Sequence, residues 1–285
     1  MRGKTVLITG ATRGIGRAAA LALADKGASL ILVCRSEERG MAVAVEVRQR
    51  GAEADLVVAD FRSMRQVRAA ALQVKATHPR IDVLINDAAA VVPKRRLTED
   101  AIEETFAINQ LAPFVLTTEL LEVLKASAPA RIINLVSEVH RRGWMRWHDL
   151  HFKADYEPTR AYAQSKLANV LFTMELKRRL ADTGVTANAL HPGDVATGLE
   201  DLEITWKTKL ARLMRPQLSP EKAAEALVYL ATAPELEKTS GVYFHHDRPF
   251  RPSGYGRDDG FARRLWTTCE KLLLPRGEDS QRAAG

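Results

Sequence analysis

Cysteine is scarce in this sequence, which limits how the fold can be stabilised. Only two cysteines occur among 285 residues. They are Cys34 and Cys269, too few for a disulfide framework. A chain of this length buries enough apolar surface to be stable without cross-links. A reducing compartment is therefore expected, and we predict that the protein is cytoplasmic.

Long apolar runs and linkers rich in proline, glycine or serine are also missing. No segment is apolar over the roughly 20 residues that a membrane-spanning helix needs. Residues 1–4 lead straight into a strand-like segment, without the apolar stretch and cleavage site of a secretory signal. We therefore expect no transmembrane segment, and one domain over residues 1–285.

Charge of one sign is not concentrated in any segment. The formal net charge is +7, which in a basic cluster would indicate nucleic acid or an anionic membrane as a partner. The arginines and lysines are instead scattered among acidic residues, so we predict no nucleic-acid partner. We interpret the excess of positive charge as belonging to a solvated surface of mixed charge. The alternative is that it attracts a phosphate-rich cofactor.

The sequence does contain a regular alternation of strand-like and helix-like segments. Short β-branched runs occur at Thr5–Thr9, Ser29–Cys34, Asp55–Ala59, Val83–Ile85, Arg131–Val136, Val185–Leu190 and Gly241–Phe244. Helix-length segments occur at Gly16–Lys26, Ser63–Thr77, Glu99–Phe114, Ala161–Ala181 and Pro220–Ala231. Apolar strands separated by helices pair in parallel through right-handed crossovers. This predicts an α/β fold with a Rossmann-type, doubly wound parallel sheet of about seven strands, which binds ligands at the carboxyl ends of its strands.

A glycine-rich turn follows the first strand. Thr9–Gly16 has glycines at positions 10, 14 and 16, between a strand and a helix. Glycine permits a sharp turn and a close approach of backbone to a pyrophosphate, and the helix N-terminus attracts negative charge. This context predicts a dinucleotide site. Its residues are Gly10, Thr12, Arg13, Gly14, Ile15 and Gly16.

The end of the second strand indicates which dinucleotide binds. An NAD site has a carboxylate there for the ribose 2′-hydroxyl, whereas this chain has Arg35 and Ser36, with Arg13 as a second cation. Guanidinium groups bind phosphate through charge-assisted, bidentate hydrogen bonds. We therefore predict NADP(H) rather than NAD(H). Positions after the third and fourth strands add Asp60, Phe61, Asn86 and Ala88 to this site.

Four polar side chains are candidates for the reacting groups. Tyr162 and Lys166 lie four residues apart in a predicted helix, so they share one face, and a nearby ammonium favours the charged form of a phenol. Ser137 follows an apolar strand, where its hydroxyl would bond a substrate oxygen that gains negative charge. Asn109 lies in an apolar helix, where its amide would either bridge a water beside Lys166 or bond a neighbouring carbonyl.

Together these motifs resemble the classical short-chain dehydrogenase/reductase family over nearly the whole chain. More narrowly, they resemble its retinol-dehydrogenase-like branch, which includes the oxidoreductase domain of the WW-domain-containing oxidoreductase. The matching segments are Thr9–Gly16, Cys34–Ser36, Asn109, Ser137 with His140, Tyr162–Asn169, His191–Gly193 with Thr197, Gly241–Phe244 and Arg263–Trp266.

The resemblance implies a role for each candidate. Tyr162 would be the acid or base, Ser137 would orient the substrate oxygen, and Asn109 would anchor a water in a proton relay. Lys166 would hold the nicotinamide ribose. The further cofactor contacts implied are Tyr162, Lys166, Pro192, Gly193, Val195 and Thr197. The family also implies a homo-oligomer, a dimer or tetramer paired through the helices that carry Asn109 and Tyr162.

Two positions depart from the family pattern. The family usually has Asn-Asn-Ala-Gly after the fourth strand, where this chain has Asn86, Asp87, Ala88 and Ala89. Ala89 adds a methyl where backbone normally approaches the cofactor, and an ionised Asp87 cannot donate a hydrogen bond. We predict weakened cofactor affinity or local stability, without loss of activity.

Two segments bear on the substrate. Gly143–His148 is unusually aromatic for a loop, and it either lines an apolar pocket or packs on the surface. Residues 204–215 have a basic amphipathic pattern. We interpret them as part of a lid, formed by residues 194–218, that covers the active site. Contact with a membrane is the alternative. Both segments predict a hydrophobic substrate. The residues assigned to it are His140, Trp144, Trp147 and Asp194.

The predicted function is NADP(H)-dependent interconversion of a hydrophobic alcohol and its aldehyde or ketone by hydride transfer. A ketoreductase of secondary metabolism is one alternative. A sensor or scaffold that binds NADP(H) without turnover is the other. No metal ion is predicted, and a C-terminal extension is expected from about residue 250 to 285.

Overall fold

Eight strands form one sheet in a computed structural model that describes residues 1–195 and 217–274. The strands are β1 (Thr5–Thr9), β2 (Ser29–Cys34), β3 (Ala54–Val58), β4 (Val83–Asn86), β5 (Ala130–Leu135), β6 (Val185–His191), β7 (Tyr243–His245) and β8 (Arg248–Phe250). Their order is β3-β2-β1-β4-β5-β6-β7-β8. All neighbours are parallel except β7 and β8. The strand order reverses between β1 and β4, which opens a crevice at the carboxyl ends.

Helices cover both faces of this sheet. They are α1 (Gly14–Asp25), α2 (Glu37–Gln49), α3 (Met64–Thr77), α4 (Glu104–Phe106), α5 (Ala112–Ala126), α6 (Pro158–Arg179), α7 (Pro220–Thr232) and α8 (Asp259–Leu272). A π-helix, Ala107–Leu111, joins α4 to α5, and 3₁₀ turns occur at Glu138–Arg142, Pro234–Leu236 and Tyr255–Arg257. The sheet therefore lies between two helical layers.

The core follows from the alternation of side chains along the buried strands. In β1, Leu7 packs in the layer that contains α3, α5, α6 and α8, whereas Val6 and Ile8 pack in the layer that contains α1, α2 and α7. All three side chains are fully buried. A strand covered on both faces has an almost continuous apolar sequence, and this feature made the strands visible in the sequence.

The predicted fold class is confirmed. The sequence prediction did not include α2, α8, β8 or the part of α5 beyond Phe114. The predicted helix Glu99–Phe114 is wrong at both ends. The chain turns at Ala101, whose φ is +54°, so helix begins only at Glu104, and helix then continues through α5 to Ala126. The Glu103 carboxylate fixes that start by accepting the N–H groups of Thr105 and Phe106.

Three predicted features lie wholly or partly outside the described residues. Thr197 and the amphipathic pattern at 204–215 fall within residues 196–216, and part of the predicted extension falls within 275–285. Among the residues that are described, no helix combines the length and apolar character that a membrane span requires.

Candidate active site

A cleft of about 290 Å³ opens at the carboxyl ends of β1 to β4. Ten of the residues predicted to bind a cofactor line it: Gly10, Thr12, Arg13, Gly14, Ile15, Arg35, Ser36, Asp60, Phe61 and Ala88. The sequence prediction missed Val33, Cys34, Arg39, Ala59, Ala90 and Ile108, and it named Asp87 and Ala89 only as departures from the family. The predicted residues therefore meet although they come from four different strand ends.

The turn between β1 and α1 needs glycine for measurable reasons. Gly10 has φ +75°, and a Cβ there would lie 2.9 Å from the backbone N and Cα of Ala88. A Cβ on Gly16 would lie 2.7 Å from the carbonyl oxygen of Gly10. Gly14 has φ +56° and open space around it. The turn is thus packed on its inner side and open toward the cleft.

Three arginines give this cleft its charge. Arg13, Arg35 and Arg39 all line it. Arg39 lies in the first turn of α2, whose start is fixed by Ser36 Oγ accepting the N–H of Arg39 at 3.3 Å. The signal that could have located Arg39 is Ser36 followed by two glutamates, a pattern typical of a helix N-terminus.

Asp60 is the carboxylate that follows β3 in this cleft, and it is engaged by a neighbour. Arg62 Nε lies 2.9 Å from Asp60 Oδ2 and 3.1 Å from Oδ1. Burial opposes ionisation of Asp60, but these hydrogen bonds and the charge of Arg62, with a contribution from Arg35, keep its pKa below the ordinary value. Asp60 is therefore an anion already held by Arg62.

Thr9 and Asn86 hold the strand ends together beneath the cleft. Thr9 Oγ1 accepts the N–H groups of Asp87 and Ala88, each at 3.1 Å. The side chain of Asn86 is buried and donates to Thr117 and Asn134. Asn86 therefore lies below the cleft, where its side chain joins β4 to β5 and α5.

Asp87, which lines the cleft, and the buried Lys166 influence each other's charge. Burial raises the pKa of Asp87 to about 7, against the favourable influence of Lys166, the Gly16 N–H and Arg13. Burial lowers the pKa of Lys166 to about 8, and the charge of Asp87 opposes that shift. Each group therefore helps to keep the other ionised near neutral pH.

The candidate reacting groups lie at the carboxyl end of β5. Lys166 Nζ donates to the carbonyl oxygen of Leu135 at 2.8 Å and lies 5.8 Å from the centre of the Tyr162 ring. Two residues beyond Leu135, Ser137 is half-buried, and its Oγ accepts the N–H of Val139 at 3.4 Å. The hydroxyl of Ser137 keeps its own proton to donate.

Asn109 lies in the π-helix, a local irregularity that is frequent at functional sites. Its Oδ1 accepts the N–H of Ala90 at 2.7 Å, and its Nδ2 donates to the Ala90 carbonyl at 2.8 Å and to Ser165 Oγ at 3.0 Å. Its own carbonyl accepts from Asn169. These bonds match the neighbouring-carbonyl alternative, and they hold the loop after β4 against α6.

A second cavity, of about 550 Å³, borders Ser137. Its described lining residues are Ser137, Glu138, Val139, Arg142, His191, Gly193, Asp194, Leu218, His245 and His246. Gly193 and Asp194 were predicted in the site, whereas the histidines and Arg142 were not. Pro192 and Val195 are buried in the same loop, and Val195 forms a β-bridge with Leu218.

The other residues assigned to the substrate lie elsewhere. His140 is buried, and its ring nitrogens contact the Ser137 carbonyl at 2.8 Å and the Ser253 N–H at 3.1 Å. Trp144 stacks edge-on against Tyr255 at 4.3 Å. Trp147 packs near Phe261 of α8. Neither tryptophan lines the second cavity, so their contacts are those of the surface-packing alternative.

The residues of the cleft fit a phosphorylated dinucleotide. The open face of the glycine turn leaves space for a pyrophosphate at the start of α1, whose N-cap residue Arg13 provides no side-chain hydrogen bond to the helix. Apart from the N–H of Gly16, which is bonded to Asp87, the N–H groups of that first turn are then available to an anion. Arg13, Arg35 and Arg39 supply cations on the same side.

Comparisons with known proteins agree with this geometry. The short chain dehydrogenase family model matches residues 4–207. The chain belongs to the short-chain dehydrogenase family. It is therefore an oxidoreductase that binds a nicotinamide dinucleotide and acts on CH–OH or C=O groups of small molecules.

The relatives within the family are more specific. The chain is 41% identical over 280 residues to retinol dehydrogenase 13 of Mus musculus, covering 95% of this chain and 84% of that protein. A crystal structure from Mycobacterium paratuberculosis has a TM-score of 0.76 and 30% identity, covering 95% of this chain and 93% of the other. A Burkholderia cenocepacia short chain dehydrogenase, solved in complex with NADP, has a TM-score of 0.70 and 26% identity, covering 90% and 99%. The resemblance to the retinol-dehydrogenase-like branch is confirmed.

Proposed function

We propose that this protein is an NADP(H)-dependent oxidoreductase that interconverts an alcohol with its aldehyde or ketone, using Tyr162, Lys166 and Ser137. The observation that carries the proposal is the position of these three residues at the carboxyl end of β5, beside the cleft with the glycine turn. Hydride transfer needs a cofactor and a proton donor in one place, and this arrangement puts a proton donor next to a cleft that fits the cofactor.

The preference for NADP(H) is supported by charge. Arg13, Arg35 and Arg39 surround the region where a 2′-phosphate would bind, and β2 ends without the carboxylate that an NAD ribose uses. Asp60 follows β3 and is paired with Arg62. A phosphate would therefore meet three guanidinium groups that form bidentate hydrogen bonds.

Each of the three residues would have its own role in the reaction. The bound cofactor supplies or accepts the hydride. Tyr162 donates a proton to the carbonyl oxygen in reduction and takes it back in oxidation. Ser137 donates a hydrogen bond to that oxygen, which carries more negative charge in the transition state. Lys166, anchored on Leu135, places an ammonium beside the phenol and favours its ionised form.

Asn109 would act through other residues. Its contacts with Ala90 and Ser165 hold the loop after β4 and the first turns of α6 in place. Because Ser165 Oγ also donates to the Tyr162 carbonyl at 2.8 Å, Asn109 fixes the backbone that carries the reacting phenol.

The test is NADPH oxidation with a panel of aldehydes and ketones, with NADH as the comparison. Tyr162→Phe removes the proton donor and keeps the ring, so we expect turnover to fall by roughly 10²–10⁴-fold with NADPH affinity unchanged. Tyr255→Phe, at the surface, is the matched control and should retain full activity.

Two other outcomes would support different functions. Tight NADPH binding without turnover of any substrate would favour the sensor or scaffold. Activity confined to polyketide-like ketones would favour the ketoreductase of secondary metabolism. Faster turnover with NADH than with NADPH would contradict the cofactor assignment.

A further inference from the structure

The cavity beside Ser137 is polar where an apolar substrate would need an apolar wall. Seven of its ten described lining residues carry polar or charged side chains, and only Val139 and Leu218 among them have apolar ones. Burying a hydrocarbon chain here would strip water from these groups without giving them new partners, which is costly. The lining therefore indicates a substrate that forms hydrogen bonds away from its reacting carbon.

Three histidines form a continuous stack along this cavity. The rings of His191 and His245 are 4.9 Å apart and nearly parallel, at 12°, and those of His245 and His246 are 4.7 Å apart at 25°. The ring of His246 also lies against the backbone of Gly193. No group of histidine, cysteine and acidic side chains in residues 1–195 and 217–274 is arranged to hold a metal ion.

His191 is the most buried member of the stack. Its side chain is 5% exposed, lines the cavity and makes no hydrogen bond to any described residue. Burial, together with His245, lowers the pKa of His191 to about 4. At neutral pH the ring is therefore uncharged, with one N–H donor and one nitrogen acceptor for a ligand.

Arg142 provides the charge. It lines the cavity at the end of the 3₁₀ turn Glu138–Arg142 and forms no ion pair with the described part of the chain. Glu138 is instead engaged, because it pairs with Arg141 and accepts the Tyr243 hydroxyl at 3.0 Å. Asp194 adds a carboxylate from the loop after β6, so an anion would bind on the side of the 3₁₀ turn.

We propose that the cavity beside Ser137 binds alcohols and carbonyl compounds that carry a carboxylate, with Arg142 and the histidine stack as its specificity determinants. This rests on the proposed function, since Ser137 must hold the reacting oxygen at the other end of the molecule. It departs from the hydrophobic substrate that the sequence predicts from two segments. The tryptophans of Gly143–His148 lie outside this cavity, and residues 204–215 fall outside the described part of the chain.

The experiment compares two aldehydes of the same shape, para-carboxybenzaldehyde and para-methylbenzaldehyde, with NADPH. We expect kcat/KM to be about tenfold or more higher for the carboxylate, as a charged hydrogen bond allows. Arg142→Met should abolish most of this preference, and Arg142→Lys, which keeps the charge without the planar fork, should retain part of it. Arg65→Met, exposed on α3, is the matched control and should keep the preference intact.

Each result decides one of the two proposals. Equal or faster turnover of para-methylbenzaldehyde by the unmodified protein would overturn the carboxylate subsite and leave the oxidoreductase function standing. If neither aldehyde is turned over, the function itself is in question, and thermal stabilisation by para-carboxybenzaldehyde decides the subsite. Equal stabilisation of the unmodified protein and Arg142→Met would then overturn it.

Discussion

Asp87 is a carboxyl group at a position where the family resemblance implies an amide. Its side chain lies against Gly16, and the charges of Lys166 and Arg13 act on it. The Asp87 charge supports protonation of Lys166, and Lys166 in turn supports ionisation of Asp87. Each of these two groups therefore favours the ionised form of the other.

Replacing Asp87 by asparagine should stabilise the protein at alkaline pH. The pKa of Asp87 is raised from 3.8 to about 7, so the folded state binds more protons than the unfolded state between these values. Stability then falls as pH rises through that window. Asp87→Asn has no carboxyl group to ionise and so does not lose stability in this window. Because the cleft is open to solvent, which weakens the effect, we expect its free energy of unfolding above pH 7 to exceed that of the unmodified protein by only about 2 kcal/mol.

Urea denaturation at a series of pH values measures this effect. The difference between Asp87→Asn and the unmodified protein should shrink as pH falls toward about 4. Asp25→Asn, at the exposed pair with Arg50, is the control and should show no comparable difference. A gain that does not depend on pH would show that charge at Asp87 is not its source.

At the scale of elements, the turn between β1 and α1 is the part most sensitive to added volume. Gly16→Ala would place a methyl 2.7 Å from the Gly10 carbonyl oxygen and also against Asp87. Since backbone cannot move aside cheaply, we expect NADPH affinity to fall by tenfold or more, with a destabilisation of about 1–3 kcal/mol.

NADPH fluorescence titration and thermal unfolding check this prediction. Gly254→Ala is the matched control, because that glycine has φ −54° and nothing within 4 Å of its Cβ position. It should leave both quantities unchanged. Normal NADPH affinity in Gly16→Ala would mean that the turn can relax, and that its packing does not determine the cofactor site.

The features that the sequence predicted well are those whose residues lie close together in the sequence. The glycine turn and the Tyr162–Lys166 spacing are each contained within about two helical turns, so the sequence pattern alone located them. α2 was missed although Ser36 caps it, because its helical face is weakly apolar and mixed with charge. Local spacing therefore defined the turn and the pair.

The second cavity could not be predicted in the same way. Ser137 follows β5, and His191 and His245 are the last residues of β6 and β7. They meet only because these strands are neighbours in the sheet. No periodicity in the sequence links them. The buried contact between Asp87 and Gly16 likewise depends on the pairing of β1 with β4. Long-range contacts, and with them the polarity of the cavity, required the structure.

At the scale of the whole molecule, α8 connects the C-terminal part of the described chain to the site-bearing layer. Trp266 packs against Phe114 of α5 and Phe172 of α6, at ring distances of 4.8 and 6.0 Å. Arg179 lies over its ring at 3.9 Å. Because α6 carries Tyr162 and Lys166, α8 supports the helix that bears two of the proposed reacting groups.

Truncation of this tryptophan tests that support. Trp266 is 5% exposed, so Trp266→Ala should cost about 3–5 kcal/mol of unfolding free energy, measured in urea. Trp144, which is 55% exposed, is the control, and Trp144→Ala should change stability by less than about 1 kcal/mol. Equal losses in the two variants would contradict the role assigned to α8.

The position of α8 also bears on assembly. It covers parts of α5 and α6, and the family resemblance implies pairing through the helices of Asn109 and Tyr162. The predicted homo-oligomer, the single domain over residues 1–285 and the cytoplasmic location stay predictions. Light scattering of the purified protein would decide the first of them.

The short antiparallel strand β8 has a consequence for solubility. An open sheet edge presents unpaired N–H and C=O groups on which another chain can add a strand, and this is a route to aggregation. Here the last strand has three residues, all exposed, with Pro249, which has no N–H, between Arg248 and Phe250. On so short a strand, a proline and a charged residue leave few backbone groups with which an incoming strand could form hydrogen bonds. This edge of the sheet is therefore protected against the addition of a strand from another molecule.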